Sequence, residues 1–256
     1  MKVVGRVQSL WRYPVKSMRG EELPEAFAGY GGVYGDRCWA FLNDVRPGFP
    51  YLTAREKQSM LLYAPTYRSA DSMRRPLNAA DAEALTATPL YAEDSALHVN
   101  VRTPDGESIP IDDPRLIELL REKHDLTLHR SQRAMTDCRP ISLFSCQTAN
   151  QLSEEAGTHV DLRRFRANVY LNLEEQKGFA ENEFVGRTLR IGARVEIAVM
   201  ERDPRCKMIT LDPDTGEANP EVMKVVARAH DGTAGVYGVV LVEGAIKPGD
   251  EAILLG

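Results

Sequence analysis

The chain has 256 residues, of which 43% are hydrophobic and 27% are charged. This composition is typical of a globular protein and excludes global disorder. The net charge of −5 argues against a general nucleic-acid-binding protein, whose surface would be basic, but it leaves room for a local basic pocket. The length suits one large β-rich domain or two ordinary domains.

No stretch of the sequence reaches the length of a transmembrane helix. The first residues, MKVVGRVQSLWRYP, are interrupted by Arg6, Gln8 and Arg12, so they do not predict a signal peptide. We therefore expect a cytoplasmic protein that acts neither at a membrane nor on nucleic acid.

The first hundred residues are predicted to be mainly β-structure. The runs VVGRVQSLW, CWAFLND and ALHVNVRT are rich in β-branched and aromatic residues and are separated by Gly, Pro and Asp clusters. Residues 29–35, GYGGVYG, predict a turn and not a dinucleotide-binding loop. Tyr34 stands where the third glycine belongs, and the segment precedes a strand instead of following one.

Three helices are predicted from their end signals. The first runs from about Pro114 to Lys123 after the capping residue Asp113, the second covers about Gln147–Ala156 and ends at Gly157, and the third covers about 220–230 after Asn219. The first of these helices marks the expected boundary between two halves of the chain.

The second half returns to strand after each helix. The segments RRFRANVYLNL and YGVVLVEGAIKPGDEAILLG predict strands, and TLRIGARVEIAVM predicts a hairpin with Gly192 in its turn. There is no regular βαβ alternation and no internal repeat. The predicted fold class is therefore α+β, rich in β-structure and barrel-like.

The cysteines and histidines do not predict a metal site built from this chain alone. No pair among the four cysteines, Cys38, Cys138, Cys146 and Cys206, has CxxC spacing, and the five histidines form no HxxxH or HExxH pattern. Zinc and iron–sulfur sites are therefore not expected.

One cysteine has an unusual neighbourhood. Cys206 lies in RDPRCKMITLDPDTG, and the sequence leaves three interpretations open: a small buried core residue, a nucleophile, or the single protein ligand of a cofactor that brings its other ligands. Arg202 and Arg205 favour a thiolate here. The DPDTGE segment does not fit a calcium-binding loop and predicts a tight turn with Gly216 at positive φ.

A further candidate is an arginine in RRFRANV. Arg166 alternates with apolar neighbours in a predicted strand, so a buried side chain there would need an anionic partner. A phosphate group is a natural partner, because a guanidinium binds it through two parallel hydrogen bonds.

Taken together, these motifs resemble the MOSC superfamily, named for molybdenum cofactor sulfurase C-terminal domains. YPVKSMRG, GDRCWAF, LTARE, RRFRANV, PRCKMITLDPDTG and GVYGVVLVEGAIKPGD occur in the family's order over nearly the whole chain. The resemblance implies a MOSC N-terminal β-barrel region, residues 1–122, followed by a MOSC domain, residues 123–256. Similar proteins include mitochondrial amidoxime-reducing components and bacterial MOSC proteins that detoxify N-hydroxylated bases.

By this resemblance, Cys206 would be a thiolate ligand of molybdenum, whose other ligands are a pyranopterin dithiolene and oxo or hydroxo groups. The positions that match cofactor-contacting residues of the family are Lys16, Ser17, Arg37, Ser145, Thr148, Arg166, Asn168, Arg205 and Tyr237. Ser145 and Thr148 lie at a predicted helix start, which suits an anion. An association with pyridoxal phosphate binding is carried over only at the level of the family.

The sequence departs from the family pattern at two places near these residues. Ala167 stands where the family often has proline, and CKMIT contains only Thr210 where the family often has two threonines after the cysteine. Neither change removes an implied ligand, but both could reshape the pocket.

The function implied by the resemblance is a molybdenum cofactor-binding oxidoreductase that reduces amidoximes, hydroxylamines or N-hydroxylated bases. Its electrons would come from a separate ferredoxin- or cytochrome-type donor protein with a flavin reductase. The alternative is a non-enzymatic molybdenum cofactor or sulfur carrier that uses a persulfide on Cys206. A third interpretation is a retained fold whose site is lost.

Overall fold

The computed structural model describes residues 1–43, 48–69, 73–85 and 97–255. Asp44 and Ala96, at the ends of two predicted strand runs, lie outside these ranges. The described α-helices are α1 (Ala79–Leu85), α2 (Pro114–Leu120), α3 (Cys146–Ala156) and α4 (Pro220–Ala229). The described strands are β1 (Lys2–Arg12), β2 (Glu21–Leu23), β3 (Ala26–Gly29), β4 (Gly32–Val33), β5 (Trp39–Leu42), β6 (Ala64–Tyr67), β7 (Val99–Arg102), β8 (Ser108–Pro110), β9 (Thr127–Arg130), β10 (Ile141–Ser145), β11 (Val169–Leu173), β12 (Thr188–Ile191), β13 (Val195–Pro204), β14 (Thr233–Val242), β15 (Gly244–Ile246) and β16 (Glu251–Leu254).

Seven strands close into a barrel. Their order around it is β1, β11, β10, β14, β13, β12 and β16, and β1 closes the ring by pairing with both β11 and β16. Neighbouring strands are antiparallel except β10 and β11, which are parallel and are joined through α3, as parallel strands require a long crossover. The predicted β-rich α+β class with a barrel is confirmed.

Successive side chains of the barrel strands point to opposite faces, so these strands contribute to two separate hydrophobic cores. Branched residues such as Leu143, Val169 and Ile197 form the buried cluster of the barrel strands. Phe144 belongs instead to the cluster formed with α3 and α4, where its ring stacks on Phe165 at 4.1 Å between centroids. Alternate residues of one strand thereby serve both clusters, as a period of two requires.

The remaining strands form smaller sheets beside the barrel. These are the sheet β6-β7-β8, the pair β5-β9 and the sheet β15-β3-β4, and a third core around Trp39, Phe41 and Leu120 lies in this part of the chain. Strands β9 and β15 come from the second half of the sequence but pair with β5 and β3 of the first half. The division into residues 1–122 and 123–256 therefore stays a prediction.

The residues predicted to cap the helices do so in the structure. Asp113 accepts a hydrogen bond from the Arg115 backbone at 2.9 Å, Gly157 ends α3 with φ of 62°, and Asn219 accepts from the Glu221 backbone at 3.1 Å. The helix that follows Asp113 ends at Leu120, three residues before the predicted end. The three predicted helices are therefore confirmed.

The predicted turns are also present. In GYGGVYG the turn falls at residues 30–31 between β3 and β4. The hairpin of β12 and β13 has Gly192 at φ of 63°, and the Asp212–Gly216 turn has Gly216 at φ of 74°. Glycine is favoured at both positions because positive φ is costly for other residues.

The prediction that Arg166 lies within a strand is wrong. Residues 162–165 form a 3₁₀ turn, Arg166 ends it in the left-handed region with φ of 52°, and β11 begins only at Val169. The cause is Asp161, whose side chain accepts from the backbone of Arg163 at 2.8 Å and so caps the turn.

Among the described residues, no helix has the length and apolarity needed to cross a membrane.

Candidate functional site

An open cavity lies where several elements of the fold meet. Its walls come from the loop after β1, the segments on either side of β5, and the loop before β10. The turn before β11, the end of β13 and the middle of β14 complete them. Its lining residues are Lys16, Ser17, Arg37, Thr53, Arg55, Thr136, Asp137, Cys138, Arg139, Ser142, Arg164, Phe165, Arg166, Asn168, Asp203, Pro204, Arg205, Cys206, Met208, Ile209 and Tyr237.

Most of the residues singled out from the sequence line this one cavity, although they are spread over more than two hundred positions. Those in its lining are Lys16, Ser17, Arg37, Arg166, Asn168, Arg205, Cys206 and Tyr237. Ser145 and Thr148 are not in the lining.

Ser145 and Thr148 instead bind a buried carboxylate. Glu181 is fully buried and accepts hydrogen bonds from the Ser145 hydroxyl at 2.7 Å and the Thr148 hydroxyl at 2.8 Å. Ser145 also caps α3 by accepting from the Thr148 backbone at 3.1 Å. A helix start whose hydroxyls already face a carboxylate is unsuited to a second anion, so the geometry does not support these two residues as cofactor contacts.

Cys206 lies two residues after the end of β13 and immediately precedes the 3₁₀ turn Lys207–Thr210. It is half-buried in the cavity wall, and its thiol makes no capping hydrogen bond to the turn. Cys38 provides the contrast, because it is buried in the core and burial raises the pKa of its thiol to about 12. Cys206 is therefore not a packed core cysteine of the Cys38 kind.

The cavity wall is strongly cationic. The lining contains seven lysines and arginines but only two acidic residues, Asp137 and Asp203. Several of the cations are compensated: Arg164 bonds Asp212 at 2.8 Å, Arg139 bonds Glu201 at 2.7 Å, and Arg37 pairs with the fully buried Asp36. Asp36 also accepts from the Tyr13 backbone at 2.8 Å, which fixes its position.

Arg166 differs from these residues because it has no carboxylate partner within 4 Å among the described residues. Its guanidinium lies over the Tyr13 ring at 4.2 Å from the centroid, and that of Arg37 lies over the same ring at 4.7 Å. One terminal nitrogen, Nη2, is buried without any hydrogen-bond partner. Burial lowers the pKa of Arg166 to about 10, while the charge of Asp36 acts in the opposite direction. At neutral pH the side chain is therefore a cation without a carboxylate in direct contact among the described residues.

Lys16 and Asp137 form a pair across the cavity. The Lys16 ammonium donates to the Met135 carbonyl at 2.8 Å and to the Asp137 carboxylate. Burial lowers the pKa of Lys16, with Asp137 acting in the opposite direction. For Asp137, burial acts to raise the pKa, but the positive charge of Lys16 lowers it overall. This carboxylate is therefore ionised at neutral pH.

Asp203 is the second acidic residue of the wall, and its environment is different. Its side chain is 2% exposed and lies 2.7 Å from Arg205. Burial raises the pKa of Asp203 to about 6, although the charges of Arg205 and Arg37 oppose this. Arg205 is held by the carbonyls of Ala234 at 2.7 Å and Phe165 at 2.9 Å.

Gly235 allows this placement of Arg205. It has φ of 77°, and an added Cβ would lie 2.8 Å from the Leu143 carbonyl oxygen and 3.1 Å from Arg205 Nη2. A side chain at this position would therefore collide with the wall of the site, which explains the first glycine of GVYG.

The sequence interpretation did not identify several residues of the wall, notably Asp137, Cys138, Arg139, Ser142 and Asp203. Asp203 could have been suspected, because it is a carboxylate only three positions before Cys206. The TDCRP segment carried no signal of its own, since loop residues reach a site only through the fold. Within the described ranges, no group of three or more His, Cys, Asp or Glu is arranged to hold a metal ion.

Comparison with known proteins gives consistent matches. Residues 130–252 match the family model of the MOSC domain, and residues 4–113 match that of the MOSC N-terminal beta barrel domain. Mitochondrial amidoxime-reducing component 1 of Homo sapiens is 25% identical over 308 aligned residues, which cover 100% of this chain and 85% of that protein. Mitochondrial amidoxime reducing component 2 of Bos taurus is 25% identical, covering 84% of this chain and 69% of that protein.

Among solved structures, the YUAD protein from Bacillus subtilis aligns with a TM-score of 0.49 and 14% identity, covering 98% of this chain and 94% of that chain.

Proposed function

Because this chain belongs to the MOSC domain superfamily, we propose that it is a molybdenum cofactor-dependent reductase of N-hydroxylated substrates. These substrates are amidoximes, hydroxylamines or N-hydroxylated bases. The relatives named as amidoxime-reducing components support a reductase of this family. The observation that carries the proposal for this chain is a half-buried thiol, Cys206, in a cationic cavity that contains an uncompensated guanidinium.

The residues of the cavity fit the chemistry of this cofactor, which carries a phosphate and a sulfur-rich metal-binding group. A buried guanidinium nitrogen without a partner, as in Arg166, is costly unless an anion completes it. A phosphate would do so through charge-assisted hydrogen bonds. Cys206 would supply one soft thiolate ligand to molybdenum. When bound, the cofactor would supply the two-electron redox chemistry.

The chain's own residues would bind and orient the group. We assign cofactor contacts to Lys16, Ser17, Arg37, Arg166, Asn168, Arg205 and Tyr237, all of which line the cavity. The hydrogen bonds and ion pairs that fix Arg37 and Arg205 reduce the ordering cost of binding, because these side chains are already in place. Electrons would come from a separate ferredoxin- or cytochrome-type donor with a flavin reductase.

The proposal is tested by expression in a host that makes the molybdenum cofactor. We expect wild-type protein to contain molybdenum and to reduce benzamidoxime with reduced methyl viologen as the electron donor. Cys206→Ser should lose most of its molybdenum and its activity. Cys146→Ser is the matched control, because Cys146 is also half-buried but lies outside the cavity lining, and it should behave like wild type. A wild-type protein that binds no molybdenum would refute the proposal.

The alternative, a cofactor or sulfur carrier, rests on the accessibility of the Cys206 thiol. It predicts cofactor binding without turnover, even with an artificial donor. It also predicts a persulfide on Cys206, visible as one added sulfur in the intact mass and absent from Cys206→Ser. Benzamidoxime turnover that depends on Cys206 would decide against it.

A further inference from the structure

We propose that Asp203 is the proton donor of the reduction, delivering a proton to the substrate nitrogen as the N–O bond breaks. This inference rests on the proposed function and adds a catalytic residue to it. The evidence is the position of Asp203 in the cavity wall and the contrast between its surroundings and those of Asp137.

The local fold directs Asp203 into the cavity that contains Cys206. Strand β13 shifts its register against β14 between the pairs Arg202–Val236 and Pro204–Thr233, so Asp203 sits in an irregularity at the strand end. Such bulges re-aim a side chain and occur often next to active sites. The result is a carboxylate that is 2% exposed yet lines the cavity.

One oxygen of this carboxylate has no hydrogen-bond partner. Asp203 Oδ2 lies 2.7 Å from Arg205 Nη2, but the contact lacks hydrogen-bond geometry, and both atoms are buried without a partner. An oxygen in this state can carry a proton and donate it to a group that enters the cavity.

The surroundings of the two carboxylates of the wall shift their pKa values in opposite directions. Lys16 holds Asp137 in its ionised form, whereas burial favours the protonated form of Asp203. The groups that act on Asp203 are Arg205, Arg37 and Tyr237, which lower its pKa, and Asp137, which raises it together with burial. Two carboxyl groups whose surroundings separate their proton affinities are a recurring sign of distinct acid and anion roles.

The stoichiometry of the reaction requires such a donor. Conversion of an N–OH group to N–H and water takes two electrons and two protons; the electrons come from the separate donor protein. The N–O bond breaks, the nitrogen gains the proton from Asp203, and the oxygen finally leaves as water with a second proton from solvent. Asp203 is reprotonated from solvent before the next turnover. A donor with a pKa of about 6 is well matched to neutral conditions.

The test is the pH dependence of kcat/KM for benzamidoxime, measured with reduced methyl viologen, whose oxidation involves no proton. Wild-type activity should fall as the pH rises through about 6, because the donor loses its proton. Asp203→Asn should remove this dependence, keep its molybdenum and lower kcat/KM by roughly 100-fold. Asp203→Glu should restore a pH-dependent limb. Glu201→Gln, which removes an exposed carboxylate two positions earlier, should keep the wild-type profile.

A second measurement follows the proton directly. The infrared carbonyl band of a protonated carboxyl should disappear through about pH 6 in the purified wild-type protein and should be missing from Asp203→Asn. The proposal is overturned if Asp203→Asn keeps the wild-type pH profile, or if it binds no molybdenum, since the role of Asp203 would then be structural. A wild-type protein without molybdenum would instead refute the proposed function itself, so the two failures are distinguishable.

Discussion

Replacement of Arg166 by methionine should make the cofactor-free protein more stable and the cofactor-loaded protein scarcer. The fall in the pKa of Arg166 to about 10 corresponds to about 3 kcal/mol against the charged form in the folded state. The cation–π contact of Arg166 with Tyr13 stabilises the folded state by about 1 kcal/mol. We therefore expect Arg166→Met to raise the free energy of unfolding by about 2 kcal/mol.

The sign follows from the direction of the pKa change. Because the pKa of Arg166 in the folded protein lies below that of the unfolded chain, the penalty is fully present at neutral pH. It is relieved only as the pH rises through about 10. A measurement at neutral pH therefore detects the whole effect.

The assay is urea unfolding, followed by circular dichroism, of protein made in a host that lacks the molybdenum cofactor. Arg164→Met is the matched control, because Arg164 is buried in the same short segment but bonds the Thr210 carbonyl at 2.7 Å and Asp212 at 2.8 Å. It should lose about 3 kcal/mol, since it breaks a buried pair. In a host that makes the cofactor, Arg166→Met should contain less molybdenum than wild type. Equal destabilisation by the two variants would show that Arg166 is compensated and would refute the reasoning.

Two further changes test how the wall of the site is held. Asp36→Asn removes the charge that faces Arg37 in a buried pair, and it should lower the free energy of unfolding by about 3 kcal/mol; an unchanged urea midpoint would contradict this. Gly235→Ala forces a side chain to positive φ and against the Leu143 carbonyl, at a cost of about 2 kcal/mol. The substitution should also displace Arg205 and reduce molybdenum content. A variant with wild-type stability and metal content would show that the neighbouring residues move to accommodate the added side chain.

The local features of the fold could be predicted from the sequence, and the long-range ones only in part. Asp113 and Asn219 marked two helix starts correctly, and Gly192 marked a hairpin, because each acts on its immediate neighbours. Arg166 was misassigned to a strand because the alternation of RFRAN was weighed without the competing cap from Asp161. Capping and alternation are both local signals, and only the fold decides between them.

In the candidate site, too, residues in recognisable motifs could be predicted from the sequence, whereas long-range contacts could not. Cys206 and the arginines were found through motifs, and the structure brings them into one cavity. Ser145 and Thr148 matched a favourable pattern at a helix start, but their partner Glu181 is more than thirty positions away in the chain, so sequence reasoning could not foresee it. Asp137 and Asp203 enter the wall through a loop and a strand irregularity, and neither of these has a signature in the sequence.

The closure of the barrel by β1 sets the order of events when the protein is synthesised. This strand is synthesised before its barrel partners, which are β11, near residue 170, and β16, near residue 252. Such distant pairings give a high contact order, so folding is slow and depends on nearly the whole chain. Until β11 and β16 are made, the parts of β1 that pair with them are open to pairing with other chains. Insertion of any cofactor should therefore follow closure of the barrel, and chaperones that shield open strand edges should raise the yield of loaded protein.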